Sequence, residues 1–153
     1  MVFKLTSPAF THGLQIPSKY TCDGTDDNPP LIIHGVPEKA KSLAIILVDQ
    51  DAEPGHEPHW LVWNISPETK DIHEHTVPFG AVVGLNHHAK TGYAGPCPPP
   101  GRHRYLFTLY ALDRKLDLPG DSKLPDLEAA MQQHILATAE LMGTYARTNE
   151  GPL

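Results

Sequence analysis

The stretch LAIILV, residues 43–48, is an uninterrupted apolar run, and YLFTLY at residues 105–110 is nearly one. A strand covered on one face alternates apolar and polar residues, whereas these runs offer apolar side chains to both faces. We therefore expect them in the middle of a layered structure, which is most simply a β-sandwich. Around them lie shorter β-rich runs, and the predicted strands cover residues 2–5, 31–34, 42–49, 59–65 and 104–112.

The chain has 153 residues, enough for one domain, which we predict over residues 1–147 with a frayed tail at 148–153. Sixteen prolines leave little room for long helices. One helix is predicted from Pro125 to Met142, because apolar residues recur there every three or four positions and Gly143 can end it. Many strands followed by one helix indicate a mainly β fold with one C-terminal α-helix.

The charge balance bears on partners and compartment. Twelve basic and eighteen acidic residues give a net charge of -6, which argues against a nucleic-acid partner. No apolar run is long enough to insert stably in a membrane, and the N-terminal residues MVFKL do not resemble a signal peptide, so we expect a cytoplasmic protein. Cys22 and Cys97 are too few for a disulfide scaffold, and whether they pair is left open.

Polar side chains gather at the ends of three predicted strands. Asp49 and Asp51 share one face at the end of the first, His59 begins the second, and His103 and Tyr105 share one face at the start of the third. If these ends are neighbours, an acid, two imidazoles and a phenol meet at one rim. Such donors suit a small oxyanion, since each charge-assisted hydrogen bond contributes roughly 1.5–3 kcal/mol. The alternative is that both histidines are merely structural.

Two longer motifs resemble the signature regions of one protein family. DQDAEPGHEPHW at residues 49–60 and GPCPPPGRHRY at residues 95–105 resemble the signature regions of the phosphatidylethanolamine-binding protein family, which includes the Raf kinase inhibitor proteins. SPAF at residues 7–10, YTCDG at residues 20–24 and much of residues 127–145 resemble its bacterial and archaeal branch. The resemblance covers nearly the whole chain.

The resemblance implies an antiparallel β-sandwich with a shallow anion pocket at one end. It also implies that Arg104 forms a structural ion pair directed away from the ligand and that Asp51 braces the turn. The implied ligand-binding residues are Asp49, His59, Gly95 through its backbone, His103 and Tyr105, with Asp51, Glu53, Pro98 and Arg104 around them.

The first motif departs from the family pattern. Relatives have Asp-Pro-Asp-Ala-Pro where this chain has DQDAE at residues 49–53, so Gln50 and Glu53 replace the two prolines. A cis-proline at this turn is therefore not expected. We expect Glu53 to place a carboxylate near the pocket mouth, which weakens anion binding by a fraction of a kcal/mol.

Other chemistries find less support in the sequence. The chain has no phosphate-loop string, no Gly-x-Ser-x-Gly and no Gly-x-Gly-x-x-Gly. The histidines of HEPH at residues 56–59 are three apart and Pro58 separates them, so this is not a zinc-protease helix. An alternative metal site of His56, His59 and an aspartate stays open. We expect no metal, no cofactor and no catalytic residue.

The functional hypothesis is a non-enzymatic binding module. Its pocket takes a phosphate or phospho-headgroup, and a wider surface regulates or inhibits a protein partner such as a kinase or a protease. Bacterial relatives often pair, so a homodimer is expected. The alternatives are a regulator that acts by surface contact alone with a vestigial pocket, and a small hydrolase or metal-dependent enzyme.

Overall fold

The computed structural model describes residues 1–52 and 56–147, so Glu53 and the tail at 148–153 lie outside the described residues. Every strand pairing between the named strands is antiparallel. The strands form a three-stranded sheet in the order β1-β2-β5 and a five-stranded sheet in the order β6-β4-β3-β7-β8. The elements are β1 Lys4–Thr6, β2 Leu31–His34, β3 Ser42–Asp49, β4 Glu57–Ile65, β5 Asp71–Ile72, β6 Val82–Val83, β7 His103–Leu112, α1 Leu124–Met131 and β8 Ile135–Tyr145.

The apolar run at residues 43–48 lies at the centre of this structure. β3 is the middle strand of the larger sheet, between β4 and β7. Leu43, Ile45 and Leu47 face a core shared with β1, β2 and β5, whereas Ala44 and Ile46 face a second core shared with α1. Both faces of the strand are therefore covered, which is why its sequence does not alternate. The expected mainly β, antiparallel sandwich with one helix is confirmed.

The predicted extent of the helix is wrong. α1 ends at Met131, and residues 135–145 form β8, which pairs with β7 along its length. The chain leaves the helix at Gln133, which has a left-handed φ of 69°. In β8 it is alternate residues that are buried, among them Ala139, Leu141 and Tyr145. In residues 135–145 the apolar side chains fit both the two-residue repeat of a strand and, by chance, the three- and four-residue spacing of a helix. Pairing with β7 selects the strand.

Gly143 therefore has a different role from ending a helix. It lies inside β8 opposite Tyr105 of β7. A Cβ added there would lie 2.4 Å from Ile16 Cγ1 and 2.9 Å from Phe10 Cε2, so the glycine lets the segment before β2 pack directly on the sheet.

A disulfide joins Cys22 to Cys97 across 75 positions of sequence, which answers the question that the sequence left open. The backbone N–H of Cys22 also donates to Pro96 O over 3.1 Å. Together these bonds attach the segment after Tyr20 to the proline-rich segment before β7.

We expect the double variant Cys22→Ser/Cys97→Ser to unfold at a lower temperature than the wild type. Opening a loop of this length raises the entropy of the unfolded chain, which corresponds to about 4 kcal/mol in the chain-entropy treatment. For a domain of this size the Tm should fall by roughly 8–15 °C. Thermal unfolding followed by circular dichroism measures the shift.

A reducing agent provides the control, because it should lower the Tm of the wild type and leave that of the double variant unchanged. Equal melting temperatures for oxidised wild type and double variant would contradict the assigned bond.

Candidate functional site

The antiparallel pairing of β3 explains why three polar strand ends meet. β3 ends at Asp49, which lies opposite Glu57 at the start of β4 on one side. On the other side it lies opposite Tyr105, near the start of β7. The end of one strand and the beginnings of its two neighbours therefore share one edge of the sheet.

This edge opens into a cavity of about 630 Å³. Arg104 does not line it, and Glu53 lies outside the described residues. The other residues that the family resemblance placed in or around the pocket are all in its wall: Asp49, Asp51, His59, Gly95, Pro98, His103 and Tyr105.

His103 is held by the buried acid at the end of β3. Its Nδ1–H donates to Asp49 Oδ2 over 2.7 Å, and the two side chains are 14% and 3% exposed. The other carboxylate oxygen of Asp49 accepts the backbone N–H of Asp51 over 2.8 Å. Since Nδ1 is engaged, Nε2 is the nitrogen of His103 that is left for a ligand.

His59 is held in the same way by a backbone carbonyl. Its Nδ1–H donates to Ala94 O over 2.6 Å, and the N–H of Ala94 donates back to His59 O over 2.9 Å. Burial lowers the pKa of His59 to about 4, so the ring is neutral near pH 7. Its Nε2 then carries a lone pair, and this atom is buried with no hydrogen-bond partner among residues 1–52 and 56–147.

Tyr105 adds a hydroxyl to the wall. Its Oη is also buried without a hydrogen-bond partner in the described part of the chain. Burial and the carboxylate of Asp49, which lies near the phenol but outside hydrogen-bonding geometry, raise the pKa of Tyr105 well above its usual value, so the phenol keeps its proton and can donate it. The ring meets His59 edge-on, with centroids 5.5 Å apart.

The backbone N–H of Gly95 already has a partner. It donates to Asp26 Oδ1 over 2.8 Å, so in this structure it does not point unpaired into the cavity. A Cβ at this position would lie 2.2 Å from the same oxygen and 2.5 Å from Tyr20 O, which restricts the position to glycine. Nothing in the sequence marks Asp26 as part of the site, because only the fold brings its turn-rich loop to residue 95.

Arg104 and Asp51 pair with each other beside the cavity. Arg104 Nη2 donates to Asp51 Oδ1 over 2.8 Å, and Nε and the backbone N–H both donate to Oδ2. These hydrogen bonds lower the pKa of Asp51 to about 2. The backbone N–H of Gln50 donates to Arg104 O over 2.9 Å, so the turn after β3 is tied to the start of β7.

Glu57 and His87 also line the wall, and the sequence had not assigned them to the site. Glu57 and His59 occupy alternate positions of β4, so the strand pattern could have indicated that they share a face. His87 comes from a distant loop, and both its N–H and its Nδ1–H donate to Pro58 O, over 2.8 and 2.9 Å. His56, which the sequence considered as a metal ligand, is exposed and does not line this cavity.

The wall of the cavity is acidic. Its described carboxylates are those of Asp26, Asp49, Asp51 and Glu57, and its described lysine is Lys90. Asp49 and Asp51 are paired with His103 and Arg104, whereas Glu57 lies 3.5–3.6 Å from two imidazoles.

We expect Asp49→Ala to change the tautomer of His103. The carboxylate holds the proton on Nδ1, and without it the ring populates the Nε2–H form that water favours. Long-range ¹H–¹⁵N NMR spectra of the histidine rings at pH 8 measure the change.

The matched control is Asp113→Ala, which removes the Asp113 Oδ1 that lies 2.9 Å from His134 Nδ1 outside the cavity. It should alter His134 and leave His103 in the Nδ1–H form. An unchanged His103 spectrum in Asp49→Ala would show that the 2.7 Å contact does not set the tautomer.

Comparison with known proteins agrees with this fold. The family model described as phosphatidylethanolamine-binding protein matches residues 6–146. A UPF0098 protein of Methanothermobacter thermautotrophicus is 48% identical over 149 residues, covering 94% of this chain and 98% of that one. A UPF0098 protein of Chlamydia trachomatis is also 48% identical, over 94% of this chain and 99% of its own.

Two solved structures are similar to this one. The crystal structure of a putative phosphatidylethanolamine-binding protein homologue, CT736 of Chlamydia trachomatis, has a TM-score of 0.92 at 45% identity, covering 95% of this chain and 98% of that one. Escherichia coli YbcL, described as a member of the mammalian family, has a TM-score of 0.90 at 30% identity, covering 95% and 99%. With its matching fold and a family model that spans residues 6–146, the chain belongs to the phosphatidylethanolamine-binding protein family.

Proposed function

We propose that this protein is a non-enzymatic binding module whose cavity takes a small oxyanion of the phosphate type. The observation that carries the proposal is that two buried polar atoms of the wall, His59 Nε2 and Tyr105 Oη, have no partner in the described part of the chain. Buried polar atoms are nearly always hydrogen-bonded, so an unpaired pair beside an open cavity is well explained by a ligand. Nε2 of His103 adds a third polar atom.

The protonation of these groups narrows the ligand chemistry. Neutral His59 uses its Nδ1–H on the protein side, so it offers a lone pair on Nε2, and on His103 the nitrogen left for a ligand is again Nε2. Tyr105 offers a proton. A hydrogenphosphate or phosphomonoester monoanion carries both an O–H that can donate to an imidazole and an oxygen that can accept from the phenol. Sulfate has no such O–H near neutral pH and is the poorer fit.

The carboxylates of the wall lower the affinity expected for an anion. Unpaired carboxylates repel an anion, and Glu57 lies within 4 Å of the imidazoles that would receive it. Three hydrogen bonds offset by this repulsion correspond to a Kd in the millimolar range, near a binding free energy of about -4 kcal/mol. An anion with this affinity occupies the cavity only if it is abundant or if it is also held by further contacts outside the cavity.

We propose that those further contacts belong to a regulated protein partner, such as a kinase or a protease, and that the chain acts as a homodimer. The non-enzymatic assignment is supported by the state of the wall cysteines, since Cys22 and Cys97 are joined to each other and neither is a free nucleophile.

The compartment stays a prediction. Among the described residues, no helix is both long enough and apolar enough to cross a membrane. The cytoplasmic location expected from the sequence has to accommodate the Cys22–Cys97 bond, which is usual in oxidising compartments and, inside cells, mainly in hyperthermophiles.

We expect Tyr105→Phe to weaken phosphate binding at least tenfold, because it removes a buried donor and keeps the ring. Calorimetric or NMR titration with inorganic phosphate and O-phosphoethanolamine, in buffer containing EDTA, measures the loss. The control is His134→Ala, a histidine outside the cavity, which should bind as the wild type does.

Sulfate should bind the wild type more weakly than phosphate at pH 7. Equal phosphate affinity in wild type and Tyr105→Phe would overturn the assignment of the cavity. No saturation up to tens of millimolar would instead favour a regulator that acts through its outer surface alone.

A further inference from the structure

We propose that Glu57, His59 and His87 form a binding site for a divalent transition-metal ion of the Zn²⁺ class. The site goes beyond the proposed anion binding and does not depend on it. It departs from the expectation of no metal, and it differs from the set of His56 and His59 that the sequence considered, because His56 lies outside the cavity.

The three ligand atoms have suitable spacing. Glu57 Oε1 lies 3.6 Å from His59 Nε2 and 3.5 Å from His87 Nε2, and all three atoms lie within 4.8 Å of one another. Ligands at 2.0–2.1 Å from a tetrahedral zinc ion lie about 3.3 Å apart. The two separations from Glu57 Oε1 exceed this spacing by only a few tenths of an ångström, and the two Nε2 atoms lie within 4.8 Å of each other. The separations from Glu57 Oε1 are too long for hydrogen bonds between the same groups.

Both imidazoles are already oriented as metal ligands. His59 Nδ1–H donates to Ala94 O and His87 Nδ1–H donates to Pro58 O. In metal sites the non-ligating nitrogen of a histidine characteristically donates in this way, which fixes the tautomer and presents the other lone pair to the ion. Two independent backbone carbonyls thus direct two Nε2 lone pairs toward one carboxylate oxygen.

Burial points to a ligand at the same place. The His59 side chain is 3% exposed and its Nε2 has no partner in the described part of the chain. His87 and Glu57 are 18% and 39% exposed, so an ion can enter from the cavity side. A bound ion would satisfy the buried nitrogen that the protein leaves unpaired.

The charge and chemistry of the site select the ion. Asp49 and Asp51 are paired with His103 and Arg104, whereas the Glu57 carboxylate lies beside the two imidazoles, and a negative charge at that place favours a cation. Two imidazoles and one carboxylate suit Zn²⁺, whereas Mg²⁺ prefers oxygen ligands and retained water.

Three protein ligands leave one coordination position open toward the cavity. An oxyanion oxygen could occupy it, and the bound ion would offset the repulsion by the acidic wall. This consequence rests on the proposed function, whereas the metal site itself does not.

The test is calorimetric titration of ZnCl₂ into metal-stripped protein in phosphate-free buffer at pH 7.5. We expect one tight site per chain and no comparable signal with MgCl₂. Glu57→Gln and His87→Gln each remove one ligand from a partly exposed position and should lower the zinc affinity at least tenfold. Far-UV circular dichroism and the Tm establish that both variants are folded.

The matched controls are His56→Gln and His134→Gln, which remove histidines outside the cavity and should leave the tight site intact. Absence of a stoichiometric zinc site would overturn the proposal. So would a site that survives in Glu57→Gln and His87→Gln, which would mean adventitious binding by surface histidines. Loss of the site in His56→Gln would favour the other ligand set.

The two proposals fail separately. Phosphate titration in EDTA tests the anion pocket without metal, and zinc titration without phosphate tests the metal site without anion. A zinc site with no phosphate binding in EDTA would retain the metal proposal and overturn direct anion binding. Phosphate binding with no zinc site would retain the anion proposal and overturn the metal proposal.

Discussion

The structure depends on the need to cover both faces of β3. Its side chains are apolar on both sides, so the strand is stable only between two layers, here the smaller sheet and α1. Within its sheet the strand lies between β4 and β7. Because all three run antiparallel, the polar residue that ends β3, Asp49, must lie beside the residues that begin its neighbours. The hydrophobic requirement of one strand thus determines where the cavity is.

The chemistry of the cavity follows from how its imidazoles are held. His59, His87 and His103 each engage Nδ1 on the protein side, with Ala94 O, Pro58 O and Asp49 as acceptors. Each therefore has Nε2 left for a ligand, and on His59, whose pKa burial lowers to about 4, this atom carries a lone pair near pH 7. A lone pair can accept an acidic O–H or bind a metal ion, so both proposed ligands, an anion that carries a proton and a divalent cation, would use this kind of atom.

The errors of sequence interpretation have one physical origin. Residues 135–145 satisfy a helical spacing and a strand spacing at once, and only hydrogen bonding to β7 selects the strand. Gly95 was expected to offer its N–H to a ligand, but Asp26 approaches from a loop about seventy positions away and accepts it. His87 reaches the site through bonds to Pro58, and nothing local marks it. Such long-range contacts have no signature in a short stretch of sequence.

By itself the sequence determined the layered, mainly β fold, because continuous apolar runs demand cover on both faces. It also determined which strand ends carry polar groups, because strand periodicity is local, and its motifs placed Asp49, His59, His103 and Tyr105 in one pocket through family resemblance. The pairing of Cys22 with Cys97, the hydrogen-bond partners that fix each imidazole and the acids that surround them depend instead on the folded chain. Those features join residues far apart in the chain, so they exist only once packing of the two sheets brings them within bonding distance.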